Sequence, residues 1–192
     1  MNKPAGGIPP ASTYFFSGTE EREEQHTLAV IVDNEPGVLA RIIGLFSARG
    51  YNIEQLTVSE TQHEQGISRI TIVCRGTPKT LNQIRAQLSR LIPVHSVADL
   101  TVQGDPIERE LALVKVAGEG DSRVEALRIA DAFRARVVDA QSRSFVFEIT
   151  GKTRKVDQFI DLMKPLGLIE VVRTGIAAIS RGPQPLRTSM GE

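Results

Sequence analysis

The sequence predicts an α+β protein built of two ferredoxin-like βαββαβ units in tandem. Stretches rich in β-branched residues alternate with stretches whose apolar residues recur at helical spacing, in the order strand, helix, strand, strand, helix, strand. The same order returns, more weakly, after the punctuation Gly104-Asp105-Pro106. A length of 192 residues suits two small domains of that kind. The resulting division is a flexible tail at 1–24, a first unit at 25–103, a second at 104–182, and a short tail at 183–192.

In the first unit, "HTLAVIVD" (26–33) is a β-rich run that ends at a turn, hence a strand. From Gly37 the apolar residues Val38, Leu39, Ile42, Ile43 and Phe46 recur at helical spacing, hence a helix. Gly50 stops it, because a left-handed terminal residue needs to lack a Cβ. "YNIEQLTVSET" and "ISRITIVCRG" are two further strands, joined by the polar loop "QHEQG". "TPKTLNQIRAQLSRLI" (77–92) is a helix with Thr77 as N-cap, Pro78 at its first position, and Leu81, Ile84, Leu88 and Leu91 on one face. "VHSVADLTV" closes the unit as a fourth strand.

The second unit begins with the strand "RELALVKVAG". "SRVEALRIADAFRA" follows as a helix with Val124, Leu127, Ala130 and Phe133 inward. "RVVDAQS" and "SFVFEITG" make a hairpin across Arg143. "KTRKVDQFIDLMKPLG" is a helix with Val156, Phe159, Ile160 and Met163 inward, and "IEVVRTGIAAIS" is the last strand. Each unit puts both helices on one sheet face, so the other face and the edges retain apolar side chains. Such surfaces are covered by pairing, within the chain or between chains, and a homodimer is expected.

Composition narrows the function classes. The 23 basic residues balance 23 acidic ones, so no global field draws in nucleic acid or an anionic membrane. No apolar run approaches the ~20 residues of a membrane span. Residues 1–12 lack the apolar core of a signal peptide, and the single Cys74 forms no intramolecular disulfide. A cytoplasmic protein is the expectation. Within the polar N-terminal tail, Tyr14, Phe15 and Phe16 are either a docking element or a sticky spot.

Fragments that resemble catalytic motifs fail on spacing. "GKT" (151–153) would need a glycine where Val146 stands to be a phosphate loop, and is read as a strand-to-helix turn. "GEG" (118–120) has Arg123 at the third glycine position of a dinucleotide fingerprint, and is also read as a turn. His26, His63 and His95 lack metal-ligand spacing and are expected at surface or strand-edge positions. Cys74 reads as a small core residue. Glu23 and Glu24 fall in the tail, and Glu108 and Glu110 flank a strand with no sign of a pocket. No catalytic residues and no metal site are predicted.

"DNEPGVLARIIGLFSARGYNIEQL" (33–56) differs from these fragments. Asp33-Asn34-Glu35-Pro36-Gly37 passes from strand to helix within a few residues. A glycine there admits another group to the backbone, and the first helical N–H groups attract a carboxylate. Asn34 offers both donor and acceptor to a zwitterionic amino acid. Spacing alone also allows a simple turn and cap, and the second turn at Gly50–Asn52 carries the same ambiguity.

The same stretch, through "YNIEQLTVSET" and "SRITIVCRG", resembles the ACT domain of the small regulatory subunit of acetolactate synthase (acetohydroxyacid synthase). The likeness covers roughly residues 27–182, continuing through "ERELALVKV" and the closing "SRG" of an ACT-like second domain. "NEPGVL" marks the broad ACT class, and "GLFSARGYNIEQLTV" narrows it. The resemblance implies a subunit with no catalytic site and no cofactor of its own. Its partner would be the large catalytic subunit, which uses thiamine diphosphate, Mg²⁺ and FAD in branched-chain amino acid biosynthesis. It implies activation of that subunit and feedback inhibition by valine bound at an ACT–ACT dimer interface. Carried over, Asn34 and Gly37 would hold the polar end of valine, with backbone from Pro36, Val38 and Leu39. Asn52 and Ile53 of the second chain would complete the pocket. The other reading is a stand-alone tandem-ACT amino-acid sensor in gene regulation. Such sensors tend to repeat a usable ligand turn, whereas this second half has "GEGDSR" where the first has "DNEPGV".

Overall fold

The computed structural model describes residues 22–186. The tail segment with Tyr14, Phe15 and Phe16, and residues 187–192, lie outside the described residues. The first unit runs β1 (Glu24–Asp33), α1 (Val38–Ser47), β2 (Ile53–Gln62), β3 (Ile67–Gly76), α2 (Pro78–Leu88) and β4 (Val94–Asp99). Its sheet has the order β2-β3-β1-β4. The second unit runs β5 (Ile107–Ala117), α3 (Gly120–Ala132), β6 (Arg136–Ala140), β7 (Ser144–Gly151), α4 (Thr153–Met163), β8 (Leu168–Arg173) and β9 (Ala177–Ile179). Its order is β6-β7-β5-β8, and β9 pairs with the start of β5. This is the α+β class expected, with two antiparallel sheets of the ferredoxin type.

Strand alternation builds the first core. Leu28, Val30 and Val32 of β1 and Ile70, Ile72 and Cys74 of β3 face the helices and meet Val38, Ile42, Phe46, Leu81, Ile84 and Leu88. Thr77 caps α2 by accepting from the Thr80 N–H, with Pro78 in the first turn. That helix ends at Leu88, short of the expected 92, and Leu91 packs on the core from the turn that follows. The "QHEQG" loop contains a short helical turn, His63–Gln65.

One helix face differs from expectation, and on another only part of the apolar stripe is buried. On α1, Leu39 and Ile43 are 36% and 39% exposed, while Leu45 is buried. They flank the core stripe rather than lie in it. On α3, Ala130 and Phe133 face inward as expected, but Val124 and Leu127 are 58% and 38% exposed, and Ala126 and Ile129 take their place. Strict three-residue spacing retreats about 60° around a helix at each step, so a run aligned at Phe133 has left the core by Val124. On α4, Val156, Phe159 and Met163 are fully buried with Ile160 beside them, as the spacing predicts.

The expected last strand is two. Thr174-Gly175-Ile176 breaks it, and the chain returns over the face of the first sheet that carries no helices. There Ile176 and Ala178 pack on Ala29, Val73 and Leu100, and Leu186 joins from the segment assigned to a tail. Gly175 has φ +78°, and a Cβ on it would lie 2.8 Å from Thr57 Oγ1. Ile176 N–H donates to Gln55 Oε1 at 3.0 Å, and Arg69 donates to the Ala178 carbonyl at 2.7 Å. The first sheet's second face is thus covered by its own chain.

Three polar residues have partners distant in the chain; His26 and Glu110 are buried, while His95 lies on the edge strand β4, as expected. His26 is buried and donates from Nδ1 to Asp99 at 2.6 Å, across β1 and β4. His95 bonds Asp33 at 2.6 Å and is largely covered. Glu110 is 2% exposed and takes two hydrogen bonds from Arg173, at 2.6 and 2.7 Å, while Arg173 also reaches Asp157. Sequence pattern does not reveal such pairs, because the partners lie on strands far apart in the chain.

Removing residues beyond Gly104 strips the cover from Ala29, Val73 and Leu100. The truncated chain is expected to bind an apolar dye and to self-associate on size exclusion, unlike the full chain. Arg173→Met leaves the Glu110 carboxylate buried and unpaired, at a cost of about 3–5 kcal/mol in denaturant unfolding. Recovery to near wild-type in the double variant with Glu110→Leu identifies the lone charge as the cause. Burial and the nearby Asp99 and Glu54 push the Cys74 thiol up to about 12. It is expected to resist iodoacetamide at pH about 8.5, where an ordinary thiol is half ionised, and to react on unfolding. Above that pH the unfolded chain releases a proton the native state keeps, so this group lowers stability as pH rises.

Candidate functional site

The chain turns sharply after β1. Asp33 N–H donates to the Pro93 carbonyl at 2.9 Å and Asn34 N–H to the Gly66 carbonyl at 2.6 Å, which anchor the turn to its neighbours. Gly37 occupies the position before α1 with φ 88°, and no side chain caps the helix start. A Cβ placed on Gly37 meets nothing within 4 Å, so the backbone there is open to an approaching group. Val38 is buried and pins the first turn to the core. Asn34, Pro36, Gly37 and Leu39 are exposed around it.

The first turn of α1 holds no acidic residue, while Asp33 and Glu35 stand in the turn before it. The equivalent helix of the second unit is different. Asp121 stands in the first turn of α3, and the preceding Glu119 pairs with Arg143. Within the first turn itself, α1 is thus the less acidic of the two helix starts.

The Asn34 side-chain amide donates to Glu60 Oε1 at 3.1 Å, and His63 Nδ1 bonds the same oxygen at 3.0 Å. Sequence does not single out Glu60, and gives His63 only a surface or strand-edge position. Their only signal is position: β2 runs back past the turn, so the residues at its far end come beside Asn34. The cluster holds an amide donor, open helix N–H groups and a carboxylate. That set suits a small zwitterion, with acceptor and donor for its two charged ends. Among the described residues no group of three or more His, Cys, Asp or Glu side chains is placed to hold a metal ion.

Asn52 and Ile53 do not join this cluster within the chain. Ile53 pairs with Cys74, which pairs with His26, and Asp33 lies seven residues further along β1, about 23 Å away at the rise of a strand. Asn34, Pro36, Gly37, Val38 and Leu39 lie at one end of the sheet, Asn52 and Ile53 at the other. Asn52 is exposed, Ile53 is half-buried against the core, and β2 is an open edge strand.

Two family descriptions match this chain. "AHAS small subunit-like ACT domain" matches residues 28–96, and "Small subunit of acetolactate synthase" matches residues 109–182. The probable acetolactate synthase small subunit of Archaeoglobus fulgidus is 46% identical over 158 residues, spanning 82% of this chain and 98% of the relative. The acetolactate synthase small subunit of Haemophilus influenzae is 44% identical, spanning 81% and 94%. The crystal structure of the acetolactate synthase small subunit from Thermotoga maritima superposes with a TM-score of 0.77 at 34% identity, covering 84% of this chain and 99% of that one. Together with a tandem ferredoxin-type fold and an uncapped glycine turn, these similarities establish that the chain belongs to the acetolactate synthase small-subunit family, the regulatory subunits of that enzyme.

Proposed function

We propose that this chain binds the large catalytic subunit of acetolactate synthase, raises its activity, and makes it sensitive to feedback inhibition by valine. The observation that carries the valine site is the turn at Asn34–Gly37: a glycine with open backbone, an uncapped helix start, and Asn34 held beside Glu60. Valine's carboxylate would sit at the helix start, near the N–H group of Leu39, the Val38 N–H already donating to the Glu35 carbonyl at 3.3 Å, with its ammonium toward Asn34 and Glu60.

The remainder of the pocket comes from a second copy. If two β2 edges pair antiparallel about a two-fold axis, the Ile53 end of one strand meets the Glu60 end of the other. Asn52 and Ile53 of the mate would then close over the turn, and the exposed Leu39 and Ile43 would lie beside that interface. This supports a homodimer through the ACT domains with two equivalent valine sites. The catalytic cofactors, thiamine diphosphate, Mg²⁺ and FAD, belong to the large subunit in this reading. A cytoplasmic location follows from the pathway; among the described residues no helix is long and apolar enough to cross a membrane.

Purified alone, the chain is expected to form no acetolactate from pyruvate, with or without thiamine diphosphate, Mg²⁺ and FAD; turnover free of large subunit would overturn the regulatory reading. Gly37→Asp places a side chain and a negative charge where the valine carboxylate would sit, and Asn34→Ala removes a hydrogen bond to a charged ligand, worth about 1.5–3 kcal/mol. A loss of ~2.8 kcal/mol is roughly a hundredfold in affinity. Both variants are expected to lose valine inhibition of the reconstituted complex and to keep activating it. Inhibition of both at the wild-type valine concentration would remove this turn from the effector site.

A further inference from the structure

We propose that a cavity beneath the segment that returns over the first sheet binds a small aliphatic monocarboxylate, with Arg69 as its cation. The cavity lies on the helix-free face of that sheet, apart from the turn at Asn34–Gly37, so the inference stands independently of the valine pocket.

The cavity arises where two layers meet incompletely. Along β3, Ile70, Ile72 and Cys74 face the helices, so the alternate residues Arg69, Thr71 and Val73 face the other way. Ile31 pairs with Arg69 across β1 and β3 and shares that face. Ile176 and Ala178 cover the part of it around Val73. Beyond Ala178 the segment leaves a cavity of about 370 Å³. The sheet contributes Ile31, Thr61 and Arg69 to its walls, and the segment contributes Ile179, Gln184 and Leu186.

Arg69 is the unusual member. It is half-buried, and it donates to the Ala178 carbonyl at 2.7 Å. The other half-buried arginine of a strand, Arg173, is matched by two carboxylates, Glu110 and Asp157. Among the described residues no carboxylate forms an ion pair with Arg69. Burial lowers its pKa with no acidic neighbour to offset the loss of hydration. A guanidinium so placed, with N–H groups to spare and a cavity in front of it, favours an anion that can take a forked pair of hydrogen bonds.

The other walls select among anions. One guanidinium balances one negative charge. Ile31, Ile179 and Leu186 offer apolar surface, against which a bare inorganic anion would lose hydration without replacement. Among the described residues no aspartate or glutamate lines the cavity, so the ammonium of an amino acid has no counter-charge there. A carboxylic acid with a short hydrocarbon chain meets each condition. Its carboxylate pairs with Arg69, and its chain lies against the isoleucines and leucine.

The test titrates the full chain with 4-methylpentanoate in a calorimeter. Saturable binding in the millimolar range is expected, with the neutral 4-methylpentanamide weaker by about tenfold or more. Arg69→Met keeps the side chain's length and removes its charge, and is expected to weaken the acid by about the same factor. That variant also loses the bond to the Ala178 carbonyl, so Thr61→Asp serves as the second. It leaves Arg69 in place and sets a carboxylate in the cavity wall, and is expected to weaken the acid about tenfold while leaving the amide unchanged. Circular dichroism verifies folding of each variant. Saturating valine is expected to leave the acid bound. Absence of saturable binding up to about 20 mM, equal binding of acid and amide, undiminished binding by Thr61→Asp, displacement by valine, or binding that appears only after residues 187–192 are removed would each overturn the proposal.

Discussion

A βαββαβ unit carries both helices on one face of its sheet, and the other face must be covered or made polar. The rest of this molecule is organised by how that requirement is met. In the first unit the strand β1 reads Leu28-Ala29-Val30-Ile31-Val32, apolar on both sides, so a helix layer alone would leave half of it in water. The return of the chain at Ile176–Ala178 supplies the second layer. The covering segment also binds through polar groups, with Arg69 on the Ala178 carbonyl and Gln55 on the Ile176 N–H. The covering segment arises from the second unit, and so ties the two units into one molecule.

The second sheet meets the requirement by chemistry. Its open face carries the pairs Arg136–Glu148 and Lys115–Glu170 around Leu111, Leu113, Val146 and Val172. These side chains keep water at that face without leaving an unbroken apolar surface. The buried charge, Glu110, sits instead at the joint between β5 and β8, where two hydrogen bonds from Arg173 compensate its desolvation. Burial of that pair specifies which strand lies beside β5 just before the chain leaves for the first unit.

The same connection bears on regulation. The segment that leaves β8 crosses β2: Thr57 bonds the Thr174 carbonyl at 3.4 Å, and Gly175 passes too close to Thr57 for any side chain. β2 is also the strand whose two ends carry the groups of the proposed valine pocket, Glu60 at one and Ile53 at the other. A change at the pocket that moves β2 therefore bears directly on the second unit. Such a contact is the kind of physical path an effector requires if its binding free energy is to be felt elsewhere.

Local chemistry was legible in the sequence. Thr77 and Pro78 start α2 because a hydroxyl and a ring without an N–H suit the first turn, and Gly37 and Gly50 sit at positive φ because only glycine adopts it without strain. The order of strands and helices followed from period, and the opening turn could be singled out as a place where an anion is welcome. What depended on distant partners was not legible. The helical faces of α1 and α3, the break after Arg173, the burial of His26 against Asp99, and the approach of Glu60 to Asn34 each require knowing which strands are neighbours. The seven residues proposed for valine, five around the first turn and two assigned to a second chain, lie at opposite ends of one sheet within a single chain, because β1 and β2 run parallel. Sequence determined the elements and the chemistry of the turn, since those arise from neighbours along the backbone. Tertiary structure alone decided which faces are buried and that Asn34–Leu39 and Asn52–Ile53 lie at opposite ends of one sheet, because contact across a sheet is set by register and not by distance along the chain.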